Sequence, residues 1–115
     1  MNMGKRGSDG LRLIAVGYEA GQPVPFFEKA EAFWLYYYYE DDRRIRRREM
    51  LSLYEKDIDK KIDKFRESLL DTLICRNFGP KAIAKLKAAG FHLYTFSGGP
   101  DAAVKALMNG ELEAL

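Results

Sequence analysis

The chain has 115 residues, 47% of them hydrophobic, which is enough for one core of ordinary domain size. Its 19 Lys and Arg residues against 17 Asp and Glu leave a formal charge of +2, too small by itself to indicate nucleic acid or a membrane surface as a partner. The sequence has no apolar run near the roughly 18 residues that cross a bilayer and no signal-peptide core, so we expect a cytoplasmic protein that does not bind membranes. Its single cysteine, Cys75, can form neither an internal disulfide nor a cysteine-rich metal site alone.

The beginning of the chain is polar and rich in glycine. We therefore expect residues 1–10 to form a flexible tail and residues 11–115 to form a single domain. Leu11–Val16 predicts the first strand, and its side chains are apolar on both faces. Such a strand is typical of the centre of a sheet that is covered on both sides.

Two prolines, Pro23 and Pro25, hold the next segment extended. Phe26 and Phe27 follow directly. We expect both rings to pack against the core, because aromatic side chains bury a large apolar area.

A hairpin is predicted next. Ala32–Tyr39 contains a tryptophan and four consecutive tyrosines, which suit a pleated surface, and Arg44–Leu53 is expected to return antiparallel after a polar turn. The turn and the returning strand carry a group of arginines: Arg43, Arg44, Arg46, Arg47 and Arg48. One interpretation is a patch that binds single-stranded nucleic acid by stacking and phosphate contact. The favoured interpretation is an edge strand whose charges prevent aggregation, partly neutralised by Glu40, Asp41, Asp42 and Glu49.

Asp57–Leu70 predicts the first helix. Ile58, Ile62, Phe65 and Leu69 recur at helical spacing and would face the sheet, with Asp57 as the N-terminal cap. The helix also carries basic residues that are expected to stay in solvent: Lys60, Lys61, Lys64 and Arg66.

The rest of the chain repeats one plan, an apolar strand followed by a turn and an amphipathic helix that starts at Gly-Pro. The first strand of this kind is Leu73–Cys75 with a helix from Pro80, and the second is Phe91–Phe96 with a helix from Pro100. Adjoining strand-helix units place their strands parallel in one sheet. The whole order predicts an α/β fold with a mixed five-stranded sheet flanked by helices.

In open α/β sheets, ligands bind outside the carboxyl ends of parallel strands, where helix N-termini favour anions. The predicted ligand-binding residues are those of the two loops at this edge: Cys75, Arg76, Asn77, Gly79, Ser97, Gly98 and Gly99. Cys75 is the candidate metal ligand, since a thiolate near a helix N-terminus can bind iron, although a buried apolar role suits a cysteine equally well. His92 lies early in its strand and is expected at the opposite end of the sheet.

Several stretches resemble one known family. They are residues 72–82 (TLICRNFGPKA), 86–91 (LKAAGF) and 106–112 (ALMNGEL), together with the looser matches 13–16 (LIAV) and 27–33 (FEKAEAF). They resemble the dinitrogenase iron-molybdenum cofactor biosynthesis family, with its NifX- and NafY-like domains. In the family's His-Phe-Gly-x-Ala-x-x-Phe pattern, this chain has Phe26 in place of the histidine and Glu28 in place of the glycine.

The resemblance implies a ribonuclease H-like fold. It also implies a non-enzymatic protein that binds or carries the iron-molybdenum cofactor, or an iron-sulfur precursor cluster, with cofactor-assembly proteins as partners. The residues alone leave a second hypothesis open, a domain that senses a small anion or nucleotide with the same glycine loops and no metal.

The sequence predicts no catalytic residues. A two-metal nuclease needs several carboxylates near the strand ends, and Glu19 is the only acidic residue in Gly17–Gly21, the loop directly after the first strand. The single histidine has no nucleophile at a recognisable spacing.

Overall fold

The structure is a computed structural model that describes residues 11–39, 41, 44–53 and 55–115. The strands are β1 (Leu11–Tyr18), β2 (Ala32–Tyr39), β3 (Arg44–Ser52), β4 (Thr72–Cys75) and β5 (His92–Thr95). The helices are α1 (Ile58–Glu67), α2 (Pro80–Ala88) and α3 (Pro100–Met108), and a 3-10 turn covers Phe27–Lys29. None of the helices in the described ranges is long and apolar enough to cross a membrane. The predicted tail, residues 1–10, lies outside the described residues, as do Glu40, Asp42 and Arg43 of the hairpin turn.

The strands form one sheet in the order β3-β2-β1-β4-β5. β1 runs antiparallel to β2, with Leu11 opposite Tyr39 and Tyr18 opposite Ala32, and parallel to β4. β4 runs parallel to β5. The predicted mixed five-stranded α/β sheet with flanking helices is confirmed, and its strand order is compatible with a ribonuclease H-like fold.

Hydrophobic side chains pack on both faces of the sheet, as the apolar pattern of β1 predicted. α1 and α2 cover one face, where the ring centroids of Phe33 and Phe65 lie 5.1 Å apart in an edge-on arrangement. α3 covers the other face, over Ile14 and Ile74. Because β4 lies between β1 and β5 in a sheet covered on both faces, all of its residues are buried, including Cys75 at its carboxyl end.

The helices begin at residues that favour a helix N-terminus. The Asp57 carboxylate accepts hydrogen bonds from two backbone N–H groups of the first turn of α1, as predicted. Pro80 and Pro100 occupy the first positions of α2 and α3, each after a glycine. α1 ends at Glu67, earlier than the predicted Leu70. Leu69 adopts a left-handed φ of 62° beyond the helix and is 86% exposed, so the expectation that it faces the sheet is wrong.

Lys61 departs from the prediction that the basic residues of α1 stay in solvent. Its residue surface is only 3% exposed. The position adjoins Ile62 at the border of the apolar stripe, and the chain packs the Phe27 ring against it. Long-range packing therefore buries a lysine that the helical pattern alone places outside.

β3 lies at the edge of the sheet, which confirms the edge position expected for its arginines, while their role against aggregation stays a prediction. The guanidinium carbon of Arg48 lies 4.1 Å from the Trp34 ring centroid, and that of Arg47 lies 4.4 Å from the Tyr37 ring centroid. Arg47 also pairs with Glu49 at 2.8 Å. The guanidinium groups of Arg47 and Arg48 on β3 therefore lie over aromatic rings of β2.

A candidate ligand cleft at the carboxyl edge of the sheet

The carboxyl ends of β1, β4 and β5 lie at the same edge of the sheet, because these strands run parallel. The loops that leave them there cover residues 19–31, 76–79 and 96–99. Ligands of open α/β sheets bind outside this edge. The fold therefore brings the predicted ligand-binding residues into one region: Cys75, Arg76, Asn77, Gly79, Ser97, Gly98 and Gly99.

The segment Pro23–Phe27 of the first loop runs along the other two loops. Its prolines keep it extended, and its backbone bonds to both neighbours. The hydrogen bonds are Val24 N–H to Gly98 C=O (2.8 Å), Arg76 N–H to Pro25 C=O (2.7 Å) and Phe27 N–H to Asn77 C=O (2.9 Å). This segment fills part of the crevice that the sequence analysis left open for a ligand.

The backbone N–H of Gly79, one of the predicted anion donors, already has an acceptor within the chain. The Glu28 carboxylate accepts its hydrogen bond at 2.8 Å. A Cβ atom at position 79 would lie 2.6 Å from the same carboxylate oxygen, so any other residue there would displace the Glu28 carboxylate from this position. The N-terminal end of the helix dipole stabilises this negative charge. Glu28 therefore occupies the place at the start of α2 where an external anion was predicted.

The loop before α3 is more open. Ser97 and Gly99 are exposed, and no side chain of the described residues caps the helix start. Gly98 adopts a φ of 141°, and a Cβ atom there would lie 2.8 Å from the Phe96 ring. These glycines shape the turn, and the α3 N-terminus presents its N–H groups to solvent.

Cys75 lies below the loops, inside the core. Its residue surface is 0% exposed, and a Cβ atom on Gly17 would lie 3.0 Å from its sulfur. Burial raises the pKa of the thiol well above its usual range, although the Gly17 N–H donates to the sulfur and opposes the shift. Metal binding by Cys75 stays a prediction, and in this conformation the thiol is protonated and covered.

Beside the Pro23–Phe27 segment lies a cleft of about 320 Å³. Lys29 and Arg76 bring positive charge to it, and Glu19 brings negative charge. The guanidinium carbon of Arg76 lies 6.0 Å from the Phe26 ring centroid. Phe26 is 46% exposed, so the expectation that this ring packs in the core is wrong, whereas Phe27 is fully buried. The two neighbouring rings point to opposite sides because the backbone at the first is extended.

Sequence reasoning placed Arg76 correctly at this edge but missed the cleft residues Lys29 and Phe26, and it missed Glu28 at the start of α2. They belong to the first loop, whose path across the other loops is set by contacts distant in sequence. The Phe-Phe pair after two prolines was the available signal that this loop is ordered rather than mobile.

Away from this edge, the aromatic and basic residues of the hairpin are engaged with each other. The Tyr36 hydroxyl donates to Asp101 at 2.6 Å, and Arg48 pairs with the same carboxylate at 3.2 Å. Burial, with the hydrogen bond to that carboxylate, raises the pKa of Tyr36 to about 12. The rings that would stack on bases are covered by guanidinium groups, which weighs against the nucleic-acid hypothesis.

His92 begins β5, opposite Thr72, and so lies at the other end of the strand from the cleft, as expected. Within the described ranges, no group of three or more His, Cys, Asp and Glu side chains is arranged to hold a metal ion. The described residues therefore do not form a preassembled set of side-chain ligands for a metal ion.

The sequence matches the dinitrogenase iron-molybdenum cofactor family over residues 12–110. The chain belongs to this family, as the resemblance predicted. No sequence match is found among proteins of curated function.

Several solved structures share the fold. A candidate dinitrogenase from Methanocaldococcus jannaschii is 17% identical with a TM-score of 0.72, over 90% of this chain and 93% of that one. A candidate NifB protein from Thermotoga is 25% identical with a TM-score of 0.66, over 90% of this chain and 93% of that one. The apo form of the orange protein from Desulfovibrio gigas is 20% identical with a TM-score of 0.67, over 93% and 95%.

Family membership associates the chain in general with binding or assembly of the iron-molybdenum cofactor. The residues at the carboxyl edge fit an anionic cargo held by charge better than one ligated by thiolate. Cys75 is covered, whereas Lys29 and Arg76 line the cleft.

Proposed function

We propose that this protein is a non-enzymatic binding or carrier protein for the iron-molybdenum cofactor or an iron-sulfur precursor cluster. It would act in the cytoplasm, with cofactor-assembly proteins as partners. The observation that carries the proposal is a basic cleft at the ligand-binding edge of a chain that belongs to this family.

The cargo is held mainly by charge. Arg76 presents a planar guanidinium with several donors, and Lys29 adds a second cation to the same cleft. The exposed loop Ser97–Gly99 supplies hydroxyl and backbone N–H donors at the start of α3. Such contacts suit a carrier, because weak non-covalent binding allows the cluster to be released.

Cys75, which is the one cysteine in the sequence, is the proposed metal ligand if a cluster is held by a thiolate. Ligation by its sulfur requires the Pro23–Phe27 segment and the neighbouring core to open, since the thiol is buried. The two modes of holding a cluster therefore predict different effects of mutation.

The test is anaerobic incubation of the purified protein with an iron-sulfur cluster donor, followed by desalting, visible absorbance and iron analysis. Wild type should retain iron, and Arg76→Gln should retain at least about threefold less. Arg66→Gln, an exposed arginine on α1, is the matched control and should behave as wild type.

Cys75→Ala separates the two modes. Retained iron in this variant supports holding by charge, whereas loss of iron here with retention in Arg76→Gln supports thiolate ligation instead. If every protein leaves the column colourless and free of iron, the carrier function is refuted, and small phosphorylated metabolites become the ligands to assay.

A further inference from the structure

A second pocket lies between the 3-10 turn, the end of β3 and α1, on the helical side of the carboxyl edge. Its volume is about 390 Å³, within the roughly 300–1,000 Å³ of small-molecule sites. Ala30 and Leu53 supply the apolar part of its lining. The pocket adjoins the cleft at Arg76 through Lys29, which lines both, whereas Arg76 lines only the cleft and Lys61 lines only this pocket.

Lys61 lines this pocket and is the only charged side chain among the buried residues that the structure describes. Its residue surface is 3% exposed, and its Nζ lies 4.5 Å from the Phe27 ring centroid. No oxygen within the described ranges lies within hydrogen-bond or ion-pair distance of this nitrogen. Buried charges in folded proteins are normally paired. The ammonium group of Lys61 can therefore donate hydrogen bonds to a ligand in the pocket.

The rest of the lining sets the charge of the ligand. Glu31 and Glu55 stand at the rim, while Glu28 is already bonded to the start of α2. Lys29 and Lys56 balance part of this negative charge, so the pocket is close to neutral with its buried cation separated from its carboxylates. Carboxylates at the rim disfavour a polyanion, and the buried ammonium disfavours a simple cation.

We propose that this pocket binds a free α-amino acid with an aliphatic side chain. Its carboxylate accepts hydrogen bonds from Lys61, its ammonium group faces Glu31 and Glu55, and its side chain contacts Ala30 and Leu53. Such a zwitterion matches both the separation of charge and the mixed lining. The pocket shares Lys29 with the cleft proposed for the cluster, but its proposed ligand contacts, Lys61, Glu31 and Glu55, do not line that cleft.

The test is an NMR titration of the full chain, uniformly labelled with ¹⁵N, against three related probes. L-leucine carries both charges, 4-methylpentanoate lacks the ammonium group, and 3-methylbutylamine lacks the carboxylate. L-alanine is added as a smaller zwitterion. We expect both amino acids to shift resonances of residues 28–31 and 55–61, with a Kd of about 10 mM or below.

Matched variants assign the contacts. Lys61→Met should weaken binding of L-leucine at least about tenfold, whereas Lys60→Met, at the exposed neighbouring position of α1, should leave it unchanged. Glu31→Gln should weaken binding of L-leucine but not that of 4-methylpentanoate.

Three results would each overturn the proposal. One is the absence of shifts with either amino acid at the highest soluble concentration. Another is equal binding of L-leucine and 4-methylpentanoate, which leaves no role for the rim carboxylates. The third is unchanged binding in Lys61→Met. None of these bears on iron retention, so failure here is distinct from failure of the carrier function.

Discussion

Replacement of Lys61 by methionine should stabilise the protein at neutral pH, although it removes a positive charge. The ammonium group lies in a residue only 3% exposed and has an aromatic ring beside it rather than an acceptor. Methionine has nearly the same length, keeps the apolar contacts of the stem and has no polar hydrogen to desolvate.

The size of the effect follows from two opposing contributions. A buried donor without an acceptor costs about 1–3 kcal/mol, and more when it is charged. Contact of the ammonium with the Phe27 ring recovers about 0.5–2 kcal/mol. We therefore expect Lys61→Met to raise the free energy of unfolding by somewhat less than about 1 kcal/mol, the difference between the midpoints of those two ranges.

The effect should depend on pH. Burial lowers the pKa of Lys61 in the folded state, against weaker opposing influences of Cys75, Glu28 and Glu55. Between that lowered pKa and about 10.4, the value in an unfolded chain, the unfolded state binds more protons, so the stability of wild type rises with pH. Lys61→Met should therefore exceed wild type in free energy of unfolding by the full amount below the folded-state pKa of Lys61. The difference should shrink as the pH approaches about 10.4.

The assay is urea unfolding followed by far-UV circular dichroism at several pH values, with Lys60→Met as the control for loss of one charge on α1. The reasoning is refuted if Lys61→Met is less stable than wild type at pH 7. It is also refuted if the difference between the two proteins does not change with pH, because then the lysine is not desolvated in the fold.

The remaining predictions concern contacts around the site and are read by the same unfolding assay. Glu28→Ala removes the carboxylate at the start of α2 and should lower the free energy of unfolding by about 1 kcal/mol. An unchanged free energy of unfolding would show that this contact does not stabilise the protein. Gly17→Ala forces a methyl group against the Cys75 sulfur and should cost about 1–3 kcal/mol, and wild-type stability would show that the sulfur moves freely. Tyr36→Phe leaves Asp101 without its hydroxyl donor and should cost about 1 kcal/mol, and a neutral result would mean that Arg48 and water replace the bond.

The sequence analysis succeeded where the signal is local. The alternating and helical periods of the apolar residues predicted the five strands and three α-helices of the described residues, though not the 3-10 turn Phe27–Lys29, and Pro80 and Pro100 start their helices as expected. The apolar residues on both sides of β1 correctly predicted a strand that is covered on both faces of the sheet. From the order of elements alone, the loops that meet at the carboxyl edge could be identified.

It failed where a contact joins distant parts of the chain. The carboxylate of Glu28 reaches Gly79, 51 residues away, and no pattern of spacing reveals that pair. Lys61 has the same charge as its exposed neighbours, and only the packing of Phe27 against α1 buries it. Phe26 was expected inside, but the extended backbone before the turn directs its ring outward.

The central claim is that the basic cleft holds an anionic metallocluster by charge. The most direct measurement is the iron retained by anaerobically loaded wild-type protein after dialysis at about 0.1 M and at about 1 M NaCl, where the screening length falls from about 10 Å to about 3 Å. Holding by charge predicts that retained iron falls severalfold at the higher salt concentration, down to the amount that Arg76→Gln retains at the lower one. Retention that is independent of salt and lost in Cys75→Ala would contradict the claim.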